Sequence, residues 1–279
     1  MSKTSRLPRN FHKSFKPERQ YIHAMLRYAA AGKSGDYREI ASETGAPMGT
    51  SSGKVPAIID YCRGMGLVRL DGAGRTAIRK PELTPFGRVV ILEDPFLKLN
   101  ITQWIAHLNL CSPLHGSEVW YQTFFPGKQA LGMCFERSKL EIFLNVALSI
   151  DKSGAIGPLI GTYEDDAAFR VCGALSEEGG IIRRKPAPVS DDFGYGYGAW
   201  LLQLIHDHFP KSGQISTVEL DTVAGWRTIP GWEVGVHQRV LELVERKGLL
   251  TIDRHMEPWL LYPKIDFEIS WKSIYKDVI

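Results

Sequence analysis

The chain has 279 residues, 44% hydrophobic and 23% charged, which fits an ordinary globular protein of two or three compact units. It holds no apolar run long enough to span a membrane, and its basic, polar opening "MSKTSRLPRNFHKSFKPERQ" lacks a signal core, so the expectation is a cytoplasmic protein with no membrane attachment. The net charge of +3 hides an asymmetry: residues 1–90 carry 16 Lys/Arg against 7 Asp/Glu, and the remainder carries 18 against 24, so the head suits a polyanion.

Residues 19–31 read as a helix, with Ile22, Met25, Leu26 and Ala29 forming one apolar stripe. Asp36, with Glu39 as reciprocal partner, caps a second helix, and "GAPMG" is a turn. The stretch "GAPMGTSSGKVPAIIDYCRGMG" looks at first like a phosphate-binding loop. The position five before Gly53-Lys54 is Met48, however, and Val55 replaces the hydroxyl that would hold magnesium, so no nucleotide cofactor is expected. The stretch reads instead as a third helix, capped by Thr50, Ser51 or Ser52, with Pro56 in its first turn and Gly66 as its terminator. Val55, Ile58, Ile59 and Cys62 face inward. Gly53, Ala57 and Gly64 form a small-residue outer face that admits close approach. "LVRL", "DGAG" and "RTAIRK" then make a hairpin.

Three helices and a hairpin describe a winged helix-turn-helix, whose third helix enters a major groove while the wing touches the backbone. Thr50, Ser51, Ser52 and Lys54 at the helix start, and Arg75, Arg79 and Lys80 on the wing, are the expected contacts to double-stranded DNA. Winged helices also serve purely as protein contacts, so that alternative stays open.

Asp94-Pro95 reads as a helix start, followed by helical segments "FLKLNITQWIAHLNLC", "SEVWYQTFF" and "SKLEIFLNVALS". Trp104, Trp120, Tyr121, Phe124 and Phe125 read as core rather than as a base-stacking platform. "TYEDDAAFRVCGAL" reads as a helix with Glu164, Asp165 and Asp166 in its first turn. Asp191 and Asp192 precede "FGYGYG", a lead-in to the helix "AWLLQLIHDHF", which ends in His206-Asp207-His208. A Ser216–Glu219 capping box, the helix "GVHQRVLELVERKG" and the hairpin "LLTIDRHMEPWLLYP" repeat the N-terminal plan. The expected fold is mainly α. Residues 1–92 form a basic arm and winged helix, 93–190 a helical middle, and 191–279 a second winged-helix-like domain that binds protein or its own copy as a homodimer. Cys62, Cys111, Cys134 and Cys172 form no C-x-x-C pair, so neither zinc nor a disulfide framework is indicated.

"NFHKSFKPER", "TGAPMGTSSGKVPAIIDYCRGMGLV", "LTPFGRVVILEDPFLKLNITQWIAHLNLC", "GSEVWYQTFF" and "PGWEVGVHQRVLELVE…LLY" occur in an order and spacing that resembles the prokaryotic family catalogued as domain of unknown function 4007, from about residue 10 to about residue 275. Members sit in DNA sulfur-modification and phage-defence loci, and some nick one strand for phosphorothioation beside other subunits. The resemblance implies that this chain is a nickase within such a complex. Metal-assisted cleavage would call on Mg2+ or Mn2+ and on carboxylates or His. His12, Glu18, Glu39, Asp60, the 164–166 cluster, Asp191 and Asp192 are candidates that no spacing separates. His12 and Glu18, with Lys16 and Arg19 as DNA contacts, come first because they lie in the basic, family-like arm. A structural arm, a non-enzymatic DNA-binding adaptor and a winged-helix transcriptional regulator are the competing readings.

Overall fold

The computed structural model describes residues 6–48, 53–70, 78–150 and 154–278. The chain is mainly α-helical, as expected, and divides into two units, Met1–Lys185 and Pro186–Ile279. The boundary expected near residue 92 falls inside the first unit.

In the first unit, α1 (Arg19–Ala30), α2 (Tyr37–Thr44) and α3 (Val55–Gly64) precede an antiparallel pair, β1 (Val68–Leu70) with β2 (Pro81–Leu83), in register from Val68↔Leu83 to Leu70↔Pro81. The α2 cap is reciprocal: the Asp36 carboxylate accepts from the Arg38 and Glu39 amides, and Glu39 accepts from the Asp36 amide at 2.7 Å. Next come α4 (Pro85–Glu93), α5 (Asn100–Leu110), α6 (Glu118–Phe124), α7 (Pro126–Leu131), β3 (Cys134–Glu136), α8 (Arg137–Ala147), α9 (Ile156–Glu164), β4 (Leu175–Glu178) and β5 (Ile181–Arg184). The last three strands form a sheet in the order β3-β5-β4.

The core of this unit is built around α5, which is buried at every position from Ile101 to Leu110 and is therefore surrounded rather than amphipathic. Its own Trp104 is buried, as are Trp120 and Phe124 of α6. His107 Nδ1 lies 2.6 Å from the Tyr163 hydroxyl, to which Trp120 Nε1 donates at 2.8 Å. Burial pushes His107 down to about 3, so it is a neutral core histidine.

Gly87 lies where α4 crosses the chain leading into β1: a Cβ there would meet the Leu67 carbonyl oxygen at 1.9 Å. Backbone cannot swing aside as a side chain can. Gly87→Ala is expected to lower unfolding free energy by about 2–3 kcal/mol, read as a shifted urea midpoint at constant slope.

Two helix boundaries differ from expectation. Asp94 starts no helix; its carboxylate accepts from the Lys98 and Leu99 amides at 2.8 and 2.9 Å, closing a turn ahead of α5. "TYEDD" ends a helix instead of opening one, because α9 begins earlier, at "IGPLIG". Gly157 and Pro158 look like breakers in the sequence, but Pro158 falls in the first turn, where a missing N–H costs nothing. Glu164 to Asp166 therefore sit at the unfavourable end of the helix dipole and are held by other partners, given below.

The second unit opens with a 3-10 turn at Asp191–Phe193 and continues with α10 (Gly194–His208), β6 (Ile215–Ser216), α11 (Thr217–Ala224), α12 (Val234–Arg246), β7 (Leu250–Asp253), β8 (Leu260–Pro263) and α13 (Phe267–Ser270). Its strands run β6-β8-β7. The Ser216–Glu219 capping box forms as expected. The Gly-Tyr alternation is part of α10 rather than a lead-in, since the bare Cα of Gly198 lets the helix lie against Leu249. Trp226 packs tilted against Trp200 and edge-on to Trp232, at centroid distances of 5.0 and 5.3 Å, making an aromatic core. His206-Asp207-His208 do not converge: His206 packs on the Phe267 ring, Asp207 accepts from Gln203, and burial lowers His208. Among the described residues, no helix is long and apolar enough to cross a membrane.

Candidate nucleic-acid interface

The third helix is not offered outward. Every residue of α3 except Asp60 and Arg63 is buried. The small-residue face does admit close approach, but by the chain itself: a Cβ on Gly64 would sit 2.7 Å from Leu110 of α5 and 2.8 Å from Leu7 of the N-terminal arm. Lys54 is only 8% exposed. Its ammonium lies 2.5 Å from the Glu18 carboxylate and over the rings of Tyr21 and Phe15, at 4.7 and 5.3 Å. The expectation that Lys54 stands on an open helix end is thus corrected, because the arm covers it. Thr50, Ser51, Ser52 and Arg75 lie outside the described residues.

The arm is stitched down along its length. Leu7 bridges Ser117, and Arg6 pairs with Glu118 at 2.6 Å. Phe11 is buried against Tyr61 and Trp120. The Tyr61 hydroxyl donates to the Phe15 carbonyl. Lys16 lays its stem across Gly161 and pairs with Asp165. Arg19 donates to the Asp166 carbonyl at 2.7 Å, and its amide to the Ala167 carbonyl at 2.8 Å. Lys16 and Arg19, expected as DNA contacts, make contacts that hold the arm to Asp165 and Asp166. On the strand side, Arg79 bridges Gly35 through its backbone and lies over Tyr37, while Lys80 pairs with Glu82 at 3.3 Å.

The two foremost catalytic candidates are not joined. Glu18 is engaged by Lys54 and Gln20, and His12 by the Ser14 amide. The remaining carboxylates also have local partners. Glu39 belongs to its capping box, Glu164 accepts from the Glu177 amide, Asp191 pairs with Arg246, and Asp192 accepts from Ser190. Among the described residues, no three His, Cys, Asp or Glu stand close enough to hold a metal ion.

What the arm does assemble is the turn from Arg9 to Ser14. Successive short hydrogen bonds coil it: Phe11 to Pro8, Lys13 to Asn10 and Phe15 to His12. Lys13 and Ser14 adopt φ of 45° and 67°, a left-handed conformation that β-carbon residues avoid unless their surroundings impose it. His12 is 4% exposed and packs edge-on to Phe11 and Trp120. Its Nδ1 accepts from the Ser14 amide at 3.0 Å, which assigns the ring proton to Nε2. Nε2 is buried and meets no hydrogen-bond partner of good geometry. Burial lowers the His12 pKa, partly offset by the Arg9 backbone, so the ring is neutral near pH 7. The turn lines a cleft of about 210 Å³ with Ile150, Gly154 and Ala155.

Cations gather beside this turn. Arg63 pairs with Asp60 at 2.8 Å, and Arg79 and Lys13 lie near enough to pull the Asp60 carboxyl down against a larger upward push from burial. Three cations thus surround one carboxylate, and Lys13 links that group to the turn. Lys13 and Arg63 escaped the sequence reading because nothing local separates them from other surface basics. For Lys13 the available signal was the run of basic residues in "RNFHKSFKPER"; Arg63 had none.

No protein-family model matches the chain, and no curated protein matches it. Two solved structures do. A crystal structure of magnesium ion-bound SspB is similar with a TM-score of 0.68 at 16% identity, and a second SspB crystal structure with a TM-score of 0.67 at 15% identity. Each alignment covers 99% of this chain and 88% of the other. At that identity the likeness establishes a shared fold.

Proposed function

We propose that this chain is a DNA-binding component of a prokaryotic DNA phosphorothioation system, and that the turn from Arg9 to Ser14 engages one strand and supports its nicking. The observation that carries the reading is the buried His12 Nε2, which has no hydrogen-bond partner of good geometry, in the same turn as Lys13, which with Arg63 and Arg79 groups at Asp60. A phosphate oxygen, being anionic, is a stronger acceptor for such a donor than the Arg9 backbone, and the cations suit its charge. The SspB-like fold supports the assignment to such a system, whereas no family model supports the resemblance to domain of unknown function 4007. Double-stranded DNA and the other subunits of such a complex are the partners.

Hydrolysis of a strand forms a bond from a water oxygen to phosphorus and breaks one P–O ester bond, and the departing oxygen takes up a proton. Negative charge builds on the non-bridging oxygens meanwhile. A fixed N–H and nearby cations stabilise that charge without reorganising. Because Nδ1 is occupied by the Ser14 amide, His12 acts as a donor to phosphate rather than as the base. One solved SspB structure holds magnesium, but the described residues here do not gather a preformed site for a divalent cation, so no step is assigned to one. The adaptor reading is favoured by one observation: Lys54 engages Glu18, and no carboxylate stands within hydrogen-bond distance of His12 among the described residues.

Supercoiled plasmid incubated with the protein and Mg2+ or Mn2+ tests the reading. Open circles that vanish with chelator support nicking. A gel shift with supercoils intact supports the adaptor, and neither binding nor nicking rejects both. Lys13→Ala combined with Arg63→Ala is expected to weaken binding about tenfold for every sequence and to flatten the log K against log salt slope by about 2. An unchanged slope would remove these residues from the interface.

A further inference from the structure

The second unit carries a groove of about 340 Å³ between α11, the start of α12 and the chain entering β8. This is the lower end of the range for ligand clefts, enough for one or two side chains. Its lips are apolar and open: Val218 on α11 and Val234 on α12 are each 59% exposed, and Pro258 and Trp259 form the opposite wall. Val218 and Val234 stand where a solvated helix face would carry polar residues. His237, 7% exposed, lies at the groove, and its Nε2 has no hydrogen-bond partner. Burial holds that ring neutral, down at about 4.

The charge around the groove is lopsided. Asp221 and Arg227 neutralise each other at 3.0 Å. Arg254 is spent on Glu245 at 2.6 Å and on the Trp259 ring. Glu257 on the wall and Glu233 at the start of α12 are exposed and have no ion-pair partner within 4.0 Å among the described residues. The unit as a whole holds 13 acidic residues against 9 basic. An exposed apolar cleft with acidic margins is complementary to one kind of occupant.

We infer that this groove is a docking site for an extended peptide segment of a partner protein, one that inserts an apolar side chain between Val218, Val234 and Trp259 and sets Lys or Arg against Glu257 and Glu233. The occupant's backbone or side chain meets the unpartnered His237 Nε2. The inference stands apart from the DNA reading, since none of its residues belongs to the His12 turn.

The test is an immobilised array of degenerate decapeptides probed with the full chain, wild type against Val234→Glu. Val234 is exposed, so the substitution leaves the core intact. Peptides that combine an aliphatic or aromatic residue with flanking Lys or Arg are expected to bind wild type and to lose at least tenfold of their signal with the variant. Glu257→Lys should reverse the charge preference, whereas Lys13→Ala should leave the pattern unaltered. Equal binding by wild type and Val234→Glu, no binding at all, or a preference for acidic peptides would overturn the inference.

Discussion

His12→Ala is expected to slow strand nicking about 10²- to 10³-fold, the usual cost of losing one fixed donor to developing charge. Affinity for DNA should change far less, because the cations that hold phosphate remain. His12→Gln is the informative companion. Its amide retains an N–H near the same place and a similar bulk between Phe11 and Trp120, so it should keep more activity than alanine. The pH profile separates donor from base. A base with a pKa below the usual histidine value loses rate as acid protonates it, whereas a donor keeps its Nε2 proton on both sides of that point. On the acid side of the usual histidine range, the wild-type rate should therefore show no limb that His12→Gln removes. Thermal melts must show both variants folded. A folded His12→Ala protein that nicks at the wild-type rate would eliminate the assignment.

The second large effect concerns stability. Glu18→Ala should cost about 3–5 kcal/mol, because the Lys54 side chain, 10% exposed, would be left charged and unpaired between two aromatic rings. The pair itself contributes less than this, since burying both ions is expensive. Glu18→Gln with Lys54→Met, which removes both charges at similar volume, should fall much closer to wild type in a urea titration. The contrast bears on function. Loss of nicking in Glu18→Ala would follow from a loosened arm, and the double variant should restore it. If the double variant is well folded and inactive, Glu18 has a chemical role that its ion pair conceals.

The helices were legible wherever capping and periodicity agreed. Asp36 with Glu39, Ser216 with Glu219, and the stripe through α1 are local signals that the fold obeys. The reading of α3 failed for a reason no local pattern carries. Gly64 does admit close approach, but Leu110 and Leu7, distant in sequence, fill the space beside it. Lys54 looked like a phosphate contact because a lysine near a helix start usually is solvated. Its partner, Glu18, is 36 positions away. The α9 boundary was missed because the acidic run from Glu164 to Asp166 reads as a first turn, whereas it follows a helix that begins at Ile156. The candidate site was half visible: His12 lay in a conspicuous basic run, but the left-handed turn and the Asp60 surroundings are tertiary facts.

The seam between the arm and α6 sets a schedule for biosynthesis. Arg6 must find Glu118, 112 positions later. At about 5–20 residues per second, a ribosome needs roughly 6–22 s to deliver that partner. Throughout that interval Arg6 and Leu7 lack their seat at the start of α6, and Leu110, which later shields Gly64, is not yet made for most of it, although Lys54 and Tyr61 reach Glu18 and Phe11 sooner. The nascent chain thus trails a cationic, partly apolar tether, a natural target for holding chaperones until translation passes residue 118.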